Sequence, residues 1–230
     1  MTVAAFNVKK HELWGGDSRQ QLARAPRGAG QLRPGLLWPA MYVFSYGSLL
    51  NVESLMATIP GIEAGECIPA VLAGHVRTFD VAFPNEGSQG DKSYFDPAGV
   101  RPPVVLFVNL RPSHDGHVVN GVLVPVSAAQ LEALRRRELR YDVVDVTGAV
   151  HGADRRTLGR EVVAFVGRTE FTQAVSVAQG VVARDYLATI TAGVEHWDVR
   201  CPGFKAQFEA STRVPSSQQI VALRRVDAVD

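Results

Sequence analysis

From residue 41 onward, the chain consists of short apolar runs separated by polar turns rich in glycine and proline. The runs are rich in β-branched and aromatic residues, which is typical of β-strands. Two short connections, Ala73–His75 and Ser113–His117, predict that the strands they join pair with each other as hairpins. The predicted strands are Met41–Ser45, Cys67–Leu72, Val76–Phe83, Val104–Leu110, Val118–Val126, Tyr141–Val146 and Glu161–Val166.

Helical spacing is less frequent than strand patterning. Asn51 can cap a short helix that carries Leu55 and Met56. Ser127 and Gln130 form a capping box, which predicts a helix that runs through Arg137 or Glu138. Two further helices are predicted near Tyr186, Leu187, Ile190 and Val194, and near Phe204 and Phe208. Because strands outnumber helices, the pattern predicts an α+β fold, with a small closed or curled mixed β-barrel and a few packed helices.

Three regions of the chain differ in pattern. Residues 1–40 keep no sustained hydrophobic period, which predicts an N-terminal extension, partly disordered or docked. Its alternative role is a lid or an oligomerisation arm. Residues 41–214 form the predicted folded domain, and residues 215–230 form a predicted C-terminal tail, in which Ile220–Leu223 could dock. Pro84–Pro103 is predicted to be a long polar loop, either a mobile insertion or a substrate cover.

Composition limits the possible function classes. The 230 residues are 46% hydrophobic and 20% charged, as in ordinary soluble globular proteins. The net charge of +1 gives no field that favours nucleic acid or an anionic membrane, so neither partner is expected. Cys67 and Cys201 form no C-x-x-C motif, and no apolar run approaches the roughly 18 residues of a membrane helix. A cytoplasmic enzyme or binding protein is therefore the prediction.

Glu138 occupies an unusual position in the predicted helix. It lies on the same stripe as Leu131 and Leu134, at helical spacing. Burial of an unpaired carboxylate raises its pKa, as a general acid/base at neutral pH requires. The alternative is a helix-terminal residue that turns outward or pairs with Arg135 or Arg137. The run of three arginines to which these two belong is expected to face solvent, because consecutive helical positions point in different directions.

The turn Tyr46–Ser48 follows the first strand and predicts a loop that binds an anion or a carbonyl group. Glycine has no Cβ, so the backbone N–H groups of such a turn can approach a ligand closely. A nucleophilic Ser48 is the rival interpretation, but the second glycine of a Gly-x-Ser-x-Gly elbow is missing and no histidine can be assigned as base. His114 and His117 could bind a metal, but no third ligand lies nearby, so a solvated turn is favoured.

Segments of the chain resemble, in order, the gamma-glutamylcyclotransferase-like family, which includes the ChaC-like enzymes. The match spans about Tyr42 to Thr212. An arginine and a glutamate, followed three residues later by a tyrosine directly before a strand, are its most specific part. The matching segments are Val43–Leu49, Leu72–Phe79, Asn120–Ser127, Leu131–Tyr141 and Tyr186–Gly193.

The resemblance implies a small barrel-like fold with a cavity at one end. It also implies a lyase-type intramolecular cyclisation that converts a small γ-glutamyl amine or peptide into 5-oxoproline and the free amine, without a metal or other cofactor. The residue roles it implies are a catalytic acid/base at Glu138, a substrate-binding loop at Tyr46, Gly47, Ser48 and Leu49, and a cavity wall at Tyr141.

Two questions stay open at this point. The amine half of the substrate could come from glutathione, a γ-glutamyl amino acid or γ-glutamyl-lysine, and the oligomeric state is unknown. The alternative function is a non-catalytic module of the same fold that binds or senses a small molecule. The presence of Glu138 argues against that alternative.

Overall fold

The structure is a computed structural model that describes residues 41–151 and 160–227. The predicted extension, residues 1–40, and the final residues of the predicted tail, 228–230, lie outside the described residues. No helix in the described part of the chain is long and apolar enough to cross a membrane.

Strands outnumber α-helices in the described residues, and the predicted α+β class is confirmed. The strands are β1 (Met41–Ser45), β2 (Ile68–Ala73), β3 (His75–Pro84), β4 (Lys92–Phe95), β5 (Val104–Pro112), β6 (Val118–Val126), β7 (Tyr141–Asp145), β8 (Val150–His151), β9 (Glu161–Gly167), β10 (Val182–Ala183), β11 (Ile220–Val221) and β12 (Arg224–Asp227). The α-helices are α1 (Val52–Met56), α2 (Ala128–Arg137), α3 (Ala174–Ala178), α4 (Arg184–Arg200) and α5 (Phe204–Ala210).

A six-stranded mixed sheet carries the core, in the order β7-β9-β1-β6-β2-β8. The inner strand β1 pairs antiparallel with β6 and parallel with β9. Its residues after Met41 are buried on both faces, which explains why the sequence shows a continuous apolar run there. β3 and β5 form a separate long antiparallel ladder with a bulge between Phe79 and Val81. The predicted curled mixed sheet is confirmed.

Both predicted hairpins are wrong. β2 pairs with β6 and β8, whereas β3 pairs with β5. Each of the two connections therefore joins a strand of the six-stranded sheet to a strand of the β3–β5 ladder. The connections bind each other: Gly74 N–H donates to His117 O at 2.9 Å, and Ser113 N–H donates to Gly74 O at 2.8 Å. Each turn therefore passes the chain from one sheet to the other and closes no hairpin of its own.

The prediction that Pro84–Pro103 is a polar loop is wrong for Lys92–Phe95, because these residues form β4, which pairs antiparallel with β12. Asn85 organises the turn before it, because its amide nitrogen donates to Tyr94 O and Pro102 O, both at 2.8 Å. The region predicted as a tail supplies β11 and β12. The four residues of β4 include only two apolar side chains, too few to show a strand period.

Both predicted helix caps are confirmed. The Asn51 side chain accepts from Ser54 N–H at 2.9 Å at the start of α1. At the start of α2, Ser127 Oγ accepts from Gln130 N–H at 3.3 Å, and Gln130 Oε1 accepts from Ser127 N–H at 2.9 Å. Such reciprocal caps satisfy donors that the first helical turn leaves free. The local sequence therefore determines where α2 begins, and hence where its last residues lie.

Helix α4 packs closely against the turn that follows β1. Trp197 Nε1 donates to Leu50 O at 3.0 Å, and both groups are buried. A Cβ added at Gly193 would lie 2.6 Å from Asn51 N and 2.6 Å from Leu50 C, both of them backbone atoms. The absence of a side chain at residue 193 therefore allows the helix to reach the turn.

We expect Gly193→Ala to lower the free energy of unfolding by about 1–3 kcal/mol, because the backbone of the turn must move to accept the methyl group. Urea unfolding measures this change. Gly65→Ala is the matched control, since a Cβ there meets nothing within 4 Å. Equal unfolding midpoints for the two variants would contradict this packing.

Candidate active site

A cavity of about 940 Å³ lies beside the C-terminal end of α2 and is walled by α4, β4 and β12. A smaller pocket of about 30 Å³, room for roughly two water-sized groups, adjoins it beneath the turn after β1. Both are lined by Ser48, Glu138, Tyr141 and Tyr186. The structure brings all the predicted site residues to the smaller pocket: Tyr46, Gly47, Ser48, Leu49, Glu138 and Tyr141.

The turn is shaped by packing as well as by hydrogen bonds. Leu50 N–H donates to Gly47 O at 2.9 Å and closes a one-turn 3₁₀-helix, Ser48–Leu50. A Cβ on Gly47 would lie 2.3 Å from Val108 Cγ1 of β5. Packing against β5 therefore requires glycine at residue 47, whether or not a ligand approaches the turn.

Arg77 holds the turn from below and is fully buried. Its Nε donates to Tyr46 O at 2.8 Å, and its Nη2 donates to Asn120 O on β6. Its Nη1 donates to Ser211 Oγ at 3.1 Å and Thr212 Oγ1 at 2.8 Å, beyond α5. Burial lowers the pKa of Arg77, and neutral oxygen acceptors surround its guanidinium. One side chain therefore ties the turn to the central sheet and to the C-terminal helices.

Glu138 directly follows α2. Its N–H donates to Leu134 O at 2.8 Å, and its carbonyl accepts from Tyr141 N–H at 3.0 Å, so the chain turns sharply into β7. Its side chain is 17% exposed, and Oε1 lies 3.2 Å from Arg137 Nε. Burial raises the pKa of Glu138, while the positive charges of Arg137 and Lys92 act in the opposite direction. The carboxyl is therefore partly buried and also paired.

Arg137 connects the acid to the turn. Its Nη1 donates to Ser54 O at 2.6 Å and Thr58 Oγ1 at 2.7 Å, and its Nη2 lies 3.4 Å from Ser48 Oγ. The prediction that this arginine faces solvent is wrong, although Arg135 and Arg136 are exposed as predicted. As the last residue of α2, its side chain can reach α1 across the site.

Three tyrosine hydroxyls surround the pocket. Tyr141 donates to Val108 O at 2.7 Å, and Tyr46 donates to Phe165 O. Tyr186 accepts from Val108 N–H at 3.2 Å, and within the described residues its own O–H has no acceptor. Burial raises the pKa of all three, so they are protonated at neutral pH. Tyr186 is not among the predicted site residues, because its helical spacing with Leu187 and Ile190 predicts packing.

Lys92 is a further site residue that the sequence analysis missed, since it lies within the predicted polar loop. Its Nζ sits 4.9 Å from the Phe107 ring centroid and 5.5 Å from that of Phe83. Burial, with nearby Arg140 and Arg225, lowers the pKa of Lys92 to about 8. The site thus combines a carboxyl, a tyrosine hydroxyl that has no acceptor among residues 41–151 and 160–227, and a partly buried ammonium group.

The rival assignments find little support in this geometry. No histidine among the described residues lines either cavity, so Ser48 has no imidazole base beside it. His117 Nδ1 lies 2.7 Å from Ser113 Oγ in the connection between β5 and β6. No group of three or more His, Cys, Asp or Glu side chains in the described part of the chain is placed to hold a metal ion.

No protein-family model and no curated protein matches the chain. Solved structures do match it. An uncharacterized protein from Homo sapiens is 17% identical, with 77% of this chain and 89% of that chain covered and a TM-score of 0.50. At this identity, the match shows a shared fold.

Gamma-glutamyl cyclotransferase structures are also among the matches, in line with the resemblance in the sequence. One is 15% identical, covers 78% of this chain and 92% of its own, and has a TM-score of 0.49. A yeast gamma-glutamyl cyclotransferase specific to glutathione is 14% identical, covers 76% and 98%, and scores 0.43. Because both scores are below 0.5, these two matches indicate nothing about the chemistry of the site.

The raised pKa of Glu138 predicts a cost in stability at neutral pH. The folded chain binds this proton more tightly than the unfolded chain, whose carboxyl has a pKa of about 4.3. The stabilising contribution is therefore complete below that value and is lost as the pH rises through the raised pKa. Glu138→Gln should thus gain stability relative to the wild type as the pH rises toward neutrality, which urea unfolding at several pH values measures.

Glu132→Gln is the control, because Glu132 lies on the same helix, is exposed and contacts Arg136 at 3.9 Å. This variant should follow the pH dependence of the wild type. A Glu138→Gln variant that instead loses stability toward neutral pH would show that the ion pair with Arg137 outweighs burial.

Proposed function

We propose that the chain is a gamma-glutamylcyclotransferase-type enzyme that converts a γ-glutamyl amide into 5-oxoproline and a free amine. The observation that carries the proposal is the position of Glu138. It lines both the small pocket beneath the Tyr46–Ser48 turn and the large open cavity. A carboxyl at that junction can reach the atoms on either side of a scissile amide bond.

In the first step, the Glu138 carboxylate accepts a proton from the substrate α-ammonium group. The freed amine attacks the γ-carbonyl carbon of the same molecule and closes a five-membered ring. Because the attack is intramolecular, the protein has mainly to hold the folded conformer. The opposing effects of burial and of Arg137 on the pKa of Glu138 suit a group that must both accept and release a proton.

The attack places negative charge on the former carbonyl oxygen. Backbone N–H groups of the turn around Gly47 and Ser48, together with the free Tyr186 O–H, are the donors assigned to this charge. Such donors contribute most where water is excluded and where they are already oriented before the reaction. The turn is oriented in this way, because Arg77 holds Tyr46 O and Trp197 holds Leu50 O.

Collapse of the tetrahedral intermediate breaks the bond to the amine half. Glu138, now protonated, donates its proton to the departing nitrogen and returns to the carboxylate form. The carboxylate then passes the second proton of the ring nitrogen to the free amine, which leaves as an ammonium ion. The products are 5-oxoproline and the free amine, and no covalent enzyme intermediate forms. Only groups of this chain and of the substrate take part in these steps.

The proposal predicts that Glu138→Gln lowers 5-oxoproline release from γ-glutamyl amides by roughly 100-fold or more, the usual contribution of a general acid/base. Release is measured with a panel of glutathione, γ-glutamyl amino acids and γ-glutamyl-lysine. Glu132→Gln, on the same helix, should keep wild-type activity. Unchanged activity in Glu138→Gln would remove this residue from the mechanism, and no turnover by the wild type would favour a non-catalytic binding module.

Tyr186→Phe should lower kcat by roughly 100-fold, the usual loss when one oxyanion donor is removed. KM should change little, because the charge that the hydroxyl stabilises develops only after binding. Steady-state kinetics separates the two constants, and circular dichroism checks that the variant folds. An effect confined to KM would assign Tyr186 to ground-state binding.

A further inference from the structure

We propose that Lys92 forms an anion subsite that recognises a carboxylate on the amine half of the substrate, and so selects γ-glutamyl amides whose released amine is an amino acid or peptide. This proposal rests on the cyclotransferase activity proposed above. The subsite belongs to the ribbon of β4 and β12, the strands formed by the predicted loop and the predicted tail.

The ribbon turns one of its faces toward the large cavity. Lys92 and Tyr94 are two residues apart on β4 and therefore share a face. Arg225 of β12 is the register partner of Tyr94, so it lies on that same face. All three side chains line the cavity of about 940 Å³. This face of the ribbon therefore presents two cationic side chains to the cavity.

Two carboxylates beside Lys92 in the ribbon, those of Asp91 and Asp227, are held by other cations. Both terminal nitrogens of the Arg140 guanidinium donate to the Asp91 carboxylate, with a distance of 2.8 Å from Nη1 to Oδ2. Arg225 Nε donates to Asp227 at 2.7 Å. The only ion pair of Lys92 within the described residues is a contact of 4.0 Å with Asp91. In the described part of the chain, no carboxylate therefore lies within direct hydrogen-bond distance of this ammonium group.

Lys92 is also partly desolvated. Its side chain is 15% exposed, and its ammonium nitrogen lies over the rings of Phe83 and Phe107. A cation in such a place loses part of its hydration, and aromatic rings replace only some of it. A carboxylate that enters the cavity would complete the coordination with a charge-assisted hydrogen bond. The Lys92 ammonium group would repel a substrate whose amine half is cationic, and it would add little binding energy for a neutral one.

The position of Lys92 relative to Glu138 indicates which half of the substrate it meets. Both residues line the large cavity, whereas the smaller pocket beneath the turn is lined by Glu138 and not by Lys92. Glu138 must reach the departing nitrogen as well as the α-amine. In an amino acid or peptide, a carboxylate lies near that nitrogen, on the side away from the glutamyl pocket. Lys92 lines the large cavity on this side, outside the smaller pocket.

The test compares γ-glutamylglycine with γ-glutamylglycinamide, which differ only in the carboxylate of the amine half. For the wild-type chain, kcat/KM should favour the acid by roughly tenfold or more, the value of one hydrogen bond to a charged group. In Lys92→Met, this ratio should fall to about one. Lys92→Arg should retain most of the preference, because it keeps the charge and a similar stem.

Lys205→Met is the matched control, since it removes an equal charge from a lysine paired with Glu195 at 3.7 Å on the surface. It should leave the ratio unchanged. Equal kcat/KM values for the two substrates in the wild type would overturn the proposal. An equal loss on both substrates in Lys92→Met would also overturn it and would assign Lys92 to the glutamyl α-carboxylate or to folding. If the wild type releases no 5-oxoproline from either substrate, the cyclotransferase proposal itself fails.

Discussion

The buried guanidinium of Arg77 is the interaction on which the candidate site depends. It donates to the Tyr46 carbonyl, to β6 through Asn120, and to the two hydroxyls that follow α5. A charged group removed from water is tolerated only when its donors are satisfied, so any shift of the turn would leave a costly unpaired donor. The turn is therefore held in one conformation by the core of the protein rather than by a ligand.

Glu138 shows how one position can be both structural and chemical. The end of α2 places it where burial favours the protonated form, while Arg137 and Lys92 favour the ionised form. Arg137 is itself fixed by α1 and contacts the turn at Ser48. The balance of these effects, rather than any single contact, determines how readily the carboxyl exchanges a proton. It also links the acid to the backbone donors assigned to the oxyanion.

Local chemistry in the sequence predicted the elements better than it predicted their partners. The caps at Asn51 and Ser127 depend on residues three positions away, and both were found from the sequence. The pairing of β2 and β3 depends on distant strands, so the short Gly74 connection suggested a hairpin that does not form. Lys92 was missed because β4 is stabilised by β12, far away in the chain. The six predicted site residues are brought together, but the supporting roles of Arg137 and Arg77 required the tertiary structure.

The central claim is that Glu138 meets the substrate α-amine while the turn meets its γ-carbonyl. A crystal structure with a γ-glutamyl analogue, in which a methylene group replaces the departing nitrogen, tests this most directly. We expect the α-nitrogen to lie within about 3.2 Å of a Glu138 carboxyl oxygen. We also expect the γ-carbonyl oxygen to accept hydrogen bonds from the turn or from Tyr186. An analogue whose α-amine lies away from Glu138, with the carboxyl still paired only to Arg137, would contradict it.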